Sequence, residues 1–387
     1  MTHVMTKLTL LICGDGLIGE EVISLIYGIN MTINLSLFQQ QHAPLWDRYV
    51  LSHHEATLYH MFLWKAVIER TYGHKTYYLA AFDKSEDQVK GVLPLVHLNH
   101  FVFGRALISL PFFDMAGVLA NDEETEKALL SQAVTLGKAL KVKDVELRHT
   151  CSNSCFKEIS LIDSVAWDLE KNKVRMLLDL PDSSFALMKS FKSKLRSQIK
   201  RPLKAGLKAQ IGGIELLDKF YQVFLINMRD LGSPVHARTL FQNVLEQFHE
   251  NTRVVIVQKG NIPCAASIIS GFKTTLENPW ASSLRKYSHL SPNMLLYWTM
   301  LEYACECGYK RFDFGRSSPG EGTYRFKRQW GAQPKLLYWY RIHLNDNRSE
   351  MAVSNKSKFE RAIQYWQKLP VSVTALFGPM IRKYIGL

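Results

Sequence analysis

The sequence predicts an α/β (α+β) protein of two related halves, each a mixed, mostly antiparallel sheet with flanking helices. One order of segments, hairpin then helix then strand, occurs twice along the chain. The length of 387 residues suits two or three domains of about 100 to 200 residues each. Apolar residues make up 47% and charged residues 21% of the chain, ordinary globular usage that excludes a disordered or collagen-like protein.

In the first half, Thr76–Phe82 and Val89–Leu98 are apolar β-type runs joined by the polar turn Asp83–Gln88, the pattern of a hairpin. A helix-like stretch, Glu123–Leu140, precedes a short strand, Asp144–Arg148. In the second half, Arg253–Gln258 and Ile262–Phe272 are joined by Lys259-Gly260-Asn261, and Leu276–Ala281 adds a strand. The helix Pro292–Cys307 then leads into Lys310–Phe314. Apolar periodicity lapses near residues 155–175, so the expected division is an extension over 1–30, a first domain over 31–170, a second domain over 171–345 and a basic helical tail over 346–387.

The N-terminus contains a strand-like run, Leu8–Cys13, followed by Gly14-Asp15-Gly16-Leu17-Ile18-Gly19. That is the spacing of a dinucleotide-binding turn. The context does not continue it: where a ribose-binding acid is due, Ile33–Phe38 runs into Gln39-Gln40-Gln41, and no further βαβ units follow. A short extension is expected instead, with Met31 as an alternative effective beginning. The six cysteines (Cys13, Cys151, Cys155, Cys264, Cys305, Cys307) are too sparse for a disulfide framework and lack zinc-knuckle spacing. A reducing compartment and no metal are expected. The apolar stretch Leu369–Ile381 is too short to span a bilayer and contains Pro379, and no cleavable leader is evident. These point to the cytoplasm.

The net charge of +13 is localised: residues 185–210 hold eight basic side chains and no acid, and residues 351–387 hold six basic side chains and one acid. Leu187, Phe191, Leu195, Ile199, Leu203 and Leu207 recur every four residues, with Lys192, Arg196, Lys200, Lys204 and Lys208 one position later. On a helix this is a buried stripe beside a cationic ridge, which Pro202 should kink or end. No acid relieves the repulsion, so an anion is the expected partner, with a solvated helix face as the plain alternative. The tail mixes Phe359, Trp366, Leu376 and Phe377 with Lys358, Arg361, Lys368 and Arg382. Such a mixture rests on an anionic membrane surface or docks on its own domain, and the breaks at Pro370 and Pro379 favour docking.

The most distinctive stretch contains Pro279-Trp280-Ala281-Ser282-Ser283-Leu284-Arg285, Phe312-Asp313-Phe314-Gly315-Arg316 and Gly322-Thr323-Tyr324-Arg325-Phe326-Lys327-Arg328-Gln329-Trp330-Gly331. With the basic segment Lys192–Pro202 and the segment Met228–His236, it resembles the FemAB-like branch of the GNAT acyltransferase superfamily, in particular the FemAB-related proteins of exosortase (PEP-CTERM) systems. The resemblance covers roughly residues 40–345. It implies tandem GNAT-like domains and amide formation on an amine of a cell-envelope acceptor, a peptidoglycan precursor or an exopolysaccharide-related, phosphorylated or lipid-linked saccharide. The donor would be a co-substrate, aminoacyl-tRNA or acyl-CoA, with no bound cofactor, and the work would be done in the cytoplasm at the inner face of the membrane. The span Ser283–Asn293 has no glycine, which departs from the usual acetyl-CoA pyrophosphate loop and weakens CoA as donor.

Amide formation needs a neutral amine, a donor for the developing oxyanion and cations for phosphates. By analogy with GNAT sheets, Ile262–Phe272 and Leu276–Ala281 are expected to splay apart and expose a backbone N–H. The resemblance places Lys327 at the cleft, facing substrate. Asp313, at a strand's end, is expected to accept the amine's proton or to pair with Arg316, and Glu277 is another base. Tyr324 is grouped with Lys327 and Asp313 as catalytic. Trp280 is expected to line the cleft, with a core position as the alternative for both aromatics. Arg285 and Arg316 suit bidentate phosphate contacts. Lys194, Arg196 and Lys200 of the basic helix, together with Asp230 and His236 beside the Gly-Ser-Pro turn, complete the expected substrate-binding set. The rival class is a non-catalytic module that recognises tRNA or a nucleotide-sugar through the same cations.

Overall fold

The computed structural model describes residues 33–83, 88–101, 103–153, 155–163, 165–344 and 356–386. Cys13, the Gly14–Gly19 turn and all of the expected extension over 1–30 lie outside them. The first sheet has the order β1 (Asn34–Leu37), β2 (Lys75–Phe82), β3 (Val89–His100), β4 (Gly104–Ile108), β6 (Asp144–His149), β15 (Tyr338–His343), β7 (Ala166–Glu170), with the short β5 (Leu119–Ala120) also on β3. The second has the order β9 (Leu207–Gly212), β10 (Thr252–Lys259), β11 (Ile262–Phe272), β12 (Thr275–Ser283), β13 (Arg311–Ser317), β8 (Val174–Asp179), β14 (Gln333–Leu336). Each sheet has one parallel pair, β4 with β6 and β12 with β13, among antiparallel neighbours. The fold is α/β in tandem GNAT-like units.

The two halves exchange strands. The strand that follows β7 in the chain, β8, inserts into the second sheet between β13 and β14. The strand that follows β14, β15, returns to the first sheet between β6 and β7. Residues 338–343 therefore belong with the first sheet, against the expected division that kept 171–345 together. Periodicity within the segment could not show this, because a strand's pattern is the same whichever sheet receives it.

Helices α1 (Ala43–Ser52) and α2 (Leu63–Tyr72) of the first half share one apolar cluster with α7 (Leu217–Leu231) and α8 (Arg238–Gln247) of the second. Trp46, Trp64, Phe220 and Phe241 are fully buried there. At about 25 cal/mol per Å2 of apolar surface removed from water, each such ring stabilises by a few kcal/mol. The outer faces carry separate cores. On the first sheet α3 (Glu123–Ala139) starts at Asp122, whose carboxylate accepts from the Thr125 N–H, with Glu123, Glu124 and Glu126 in its first turn, a complement to the helix dipole. On the second sheet α9 (Pro292–Glu306) is apolar nearly all round. It has to be covered on both sides, by the sheet beneath and by α5 (Ser184–Ser190) and α6 (Ser193–Lys204) above.

The basic stretch differs from the single helix expected. Phe191 adopts an extended backbone and splits it into α5 and α6, and β9 begins at Leu207. Leu187, Phe191, Leu195 and Ile199 are buried, whereas Leu203 stands 52% exposed. Pro202 sits in the last turn of α6, where it cannot bond to the Gln198 carbonyl, and the helix ends two residues later at Lys204. Among the described residues no helix is long and apolar enough to cross a membrane. The tail is docked: α11 (Lys356–Lys368) and α12 (Val371–Arg382) lie against α7, and Gly378 packs on Val235 without room for a side chain.

Candidate active site

The parallel pairing of β12 with β13 covers Thr275↔Arg311, Leu276↔Phe312 and Glu277↔Asp313 and stops there. Beyond it both strands continue, β12 to Ser283 and β13 to Ser317, without bonding to each other. β11 and β12, the pair expected to splay, stay bonded from Ala265↔Ser283 to Phe272↔Thr275. The opening lies one strand further on. Its cause is local. The register of β12 on β11 shifts beside Asn278-Pro279, and a proline, having no N–H, is tolerated in a sheet at such a bulge. Gly315 across the fork takes a φ of +75°, with the Asn278 carbonyl oxygen 3.2 Å from where a Cβ would stand. A side chain there would strain the backbone and crowd the fork.

A cavity of about 310 Å3 fills the fork. Glu277, Asn278, Trp280, Asp313, Arg316 and Lys327 line it from the second half, and Tyr59, Phe113 and Asp114 from the first. Lys327, on α10 (Gly322–Gln329), is only 7% exposed. Its ammonium donates to the carbonyl oxygens of Gly315 (3.1 Å) and Arg316 (2.8 Å). An ammonium has three donors, so one remains for the cavity. Burial lowers its pKa to about 8, a fall that Asp313 and Asp114 partly offset and Arg316 reinforces.

Asp313 is buried and committed. Its Oδ2 receives Arg175 from β8 at 2.7 and 2.9 Å, and its Oδ1 receives the Gly315 N–H at 2.8 Å. Its ion pair is with Arg175, not with Arg316, which pairs with Asp114 at 3.1 Å and lies over the Trp339 ring. Glu277 is the contrasting carboxyl. Burial and the neighbouring Asp313 push its pKa up to about 7, against the opposing pull of Arg175 and of the nearby Tyr59 hydroxyl. A carboxyl balanced near neutrality beside a cavity suits proton transfer.

Asn278 completes the wall. Its Oδ1 accepts from the Ser267 hydroxyl at 2.7 Å. Its Nδ2 is buried without an acceptor in hydrogen-bonding geometry, although the amide lies close enough to the Tyr297 hydroxyl to temper that phenol's burial-driven rise to about 12. A buried donor left unmet is costly unless something binds it. Sequence reasoning missed Asn278, Tyr297, Tyr59, Asp114 and Arg175. The signal for Asn278 was present, since Pro279 inside a β-type run marks a bulge. Nothing local linked Tyr59, Asp114 or Arg175 to residues a hundred or more positions away.

The other expected site residues, Trp280 apart, lie elsewhere. Tyr324 is half-buried on the second core, and the cavity is lined by its helix neighbours Thr323 and Lys327. Trp280 lines the cavity and also meets Phe113 and Phe241 edge-on. Arg285 is exposed and donates to the Asp230 carbonyl at 3.0 Å, while the Asp230 carboxylate pairs with Arg229. His236 is buried between the Tyr72 hydroxyl (2.8 Å) and Arg382 Nε (3.0 Å), and burial holds it well below the ordinary histidine range. It joins the first half to the tail. Arg196 caps the α5–α6 break on the Phe191 carbonyl at 2.9 Å. Lys194 and Lys200 are exposed. Lys194, with Lys192 and Arg328, lines an open groove of about 850 Å3 together with Leu187, Leu195 and Trp330, and this groove shares no lining residue with the cavity.

The model of the acetyltransferase (GNAT) domain family matches residues 189–328, a span that holds the whole fork. No curated protein matches the sequence. Among solved structures, FemX superposes with a TM-score of 0.61 at 15% identity, covering 79% of this chain and 96% of that one. A tandem GNAT protein from the clavulanic acid biosynthesis pathway gives 0.54 at 9% identity, over 81% and 99%. The C-terminal domain of a putative lysylphosphatidylglycerol synthetase from Agrobacterium fabrum gives 0.51 at 14% identity, over 79% and 92%.

Proposed function

We propose that the chain is an N-acyltransferase that moves an acyl or aminoacyl group from an activated ester or thioester to an amine. The observation that supports it most is the convergence of Glu277, Asn278 and Lys327 on one cavity where a parallel strand pair parts. Glu277 as carboxylate takes a proton from the acceptor ammonium. The neutral nitrogen attacks the acyl carbon, forming the C–N bond, and negative charge gathers on the carbonyl oxygen. The third N–H of Lys327 and the Asn278 amide meet that charge. The C–O or C–S bond then breaks, and the leaving oxygen or sulfur takes up the proton that the attacking nitrogen sheds as the amide forms. Asp313, bound to Arg175, is a positioning residue in this scheme. Glu277 near 7 and Lys327 near 8 give a narrow bell-shaped rate profile centred between those limits.

The donor we favour is aminoacyl-tRNA. The β12–α9 loop has no glycine, and Ser291 itself takes the left-handed φ of 56° at an α9 N-terminus with no side-chain cap. The open groove with Lys192, Lys194 and Arg328, and Lys200 further along α6, offers cations to the donor's phosphates. The fold likeness to FemX and the resemblance to exosortase-associated proteins favour a cell-envelope acceptor, a peptidoglycan precursor or an exopolysaccharide-linked saccharide. The test incubates the protein separately with charged tRNA and with acyl-CoA, each with envelope-precursor extract, and reads acyl adducts by mass spectrometry. Adduct from charged tRNA that is lost in Glu277→Gln supports the reading, and adduct from the thioester alone overturns the donor. No adduct from either leaves the anion-binding module.

A further inference from the structure

The tip of the β3–β4 hairpin and the outer face of α12 form one exposed apolar strip. Phe101 at the tip is 93% exposed and Phe103 is 51% exposed. On α12, Leu376, Phe377 and Met380 are 65%, 49% and 59% exposed, while Thr374 and Gly378 face inward. Leu376, Met380 and Tyr384 follow at intervals of four, one stripe of a helix, and the Tyr384 ring lies 4.2 Å from His100 and near-parallel to Phe103 at 6.4 Å. The stripe therefore runs from the helix onto the hairpin tip.

Cations border this strip. Lys75 lies opposite His97, and Asn99 opposite Arg105, on one face of the hairpin's end. On the other face the Lys383 ammonium sits 4.7 Å over Tyr384, whose ring meets His74 edge-on. Burial, with Arg105 and Lys75 behind it, holds His97 below its ordinary range. Residues 88–109 and 371–387 contain no Asp or Glu. An aromatic wedge flanked by cations without an acid matches a bilayer surface of negative charge, where rings enter the headgroup boundary and cations meet phosphates.

We propose that the hairpin tip and the α12 stripe form a docking surface for an anionic lipid bilayer. It does not rest on the transferase reading. It places the bilayer beside the candidate site, because the Gly386 carbonyl at the end of the tail accepts from the Phe112 N–H at 2.7 Å, and Phe112 lines the cavity.

The experiment is co-sedimentation of the full chain with phosphatidylglycerol–phosphatidylcholine vesicles and with pure phosphatidylcholine vesicles, alongside light scattering for oligomeric state. Binding to the anionic vesicles that exceeds binding to the neutral ones is expected. Phe101→Ser/Phe103→Ser should lower the partition coefficient about ten-fold or more, and Lys75→Glu/Arg105→Glu should remove the preference for anionic lipid. These positions are exposed, so folding survives, and circular dichroism checks it. No vesicle binding by the native chain, or binding untouched by the tip variant, overturns the proposal. A dimer dispersed by Phe101→Ser/Phe103→Ser also overturns it, in favour of a second copy as occupant. Transfer to soluble acceptors by a chain that ignores vesicles would sink this proposal alone.

Discussion

The two sheets part in the same place and the gap is filled differently. In the first sheet the parallel pair β4–β6 also runs for three residues, Ala106↔Asp144, Leu107↔Val145 and Ile108↔Glu146. Just beyond it stands Arg148, 1% exposed, bonded to Glu146, the Phe113 carbonyl and the Gly386 carbonyl, and stacked on Trp339. In the second sheet the equivalent positions carry Glu277 opposite Asp313, and beyond them is the cavity. Ile108 occupies the place of Glu277. A plugged fork stabilises a sheet, whereas an open one leaves polar groups unmet. Under the proposed function, the comparison puts the chemistry in one half and the support in the other.

The sharpest break with that assignment would come from Glu277. Glu277→Gln is expected to reduce transfer by about a thousand-fold, the loss of a general base, in single-turnover assays near pH 7.5. It should also make the fold more stable at alkaline pH. The folded pKa near 7 lies above the ordinary 4.5, so the folded state holds the proton more tightly. Stability falls as pH rises from 4.5 through 7, and the amide escapes a penalty of up to about 3 kcal/mol. Urea midpoints at pH 5 and pH 8 measure it. Lys327→Met comes next, with an expected loss of about a hundred-fold in turnover from the missing oxyanion donor and disappearance of the alkaline limb near 8. Retained activity in either variant would dissolve the distinction between the forks.

On the plugged side, Arg148→Met should cost about 3 kcal/mol of stability, the usual penalty for breaking a buried ion pair, read as a lower denaturation midpoint. Turnover per folded molecule should change little. An activity loss without a stability loss would give the first fork a chemical role and overturn the comparison.

Much of the second half was legible because its signals are short in range. The β10–β11 hairpin, α9 and β13 follow from alternation and apolar runs, and Lys327 from a motif within one helix. The site was legible in part. Asp313 is where the motif put it, but its proton-acceptor role was expected without knowledge of Arg175, which arrives on a strand exchanged from the first half. His236 and Asp230 sit beside a turn that looked functional, yet burial and the docked tail account for their contacts. The splay was placed one strand early because hydrogen-bond pairing between strands leaves no trace in either strand's own pattern.

The smallest expected effect probes the seam between the halves. Tyr59 belongs to the first half, and its hydroxyl lies close enough to Glu277 across the cavity to draw the Glu277 pKa down. A donor beside the charged form favours that form, so Tyr59 works against burial and Asp313. In Tyr59→Phe the ring remains packed on Phe113 and Trp64, and only the donor is lost. A charge-assisted bond is worth about 1.5 kcal/mol, which is about one pH unit. The acid limb of the rate profile should therefore move upward by about that much. Turnover should fall several-fold at pH 6.5 but only about two-fold near pH 8. A simple packing role predicts the opposite pattern, a uniform loss with an unmoved limb. A shifted limb would show that the first half tunes the base of the second.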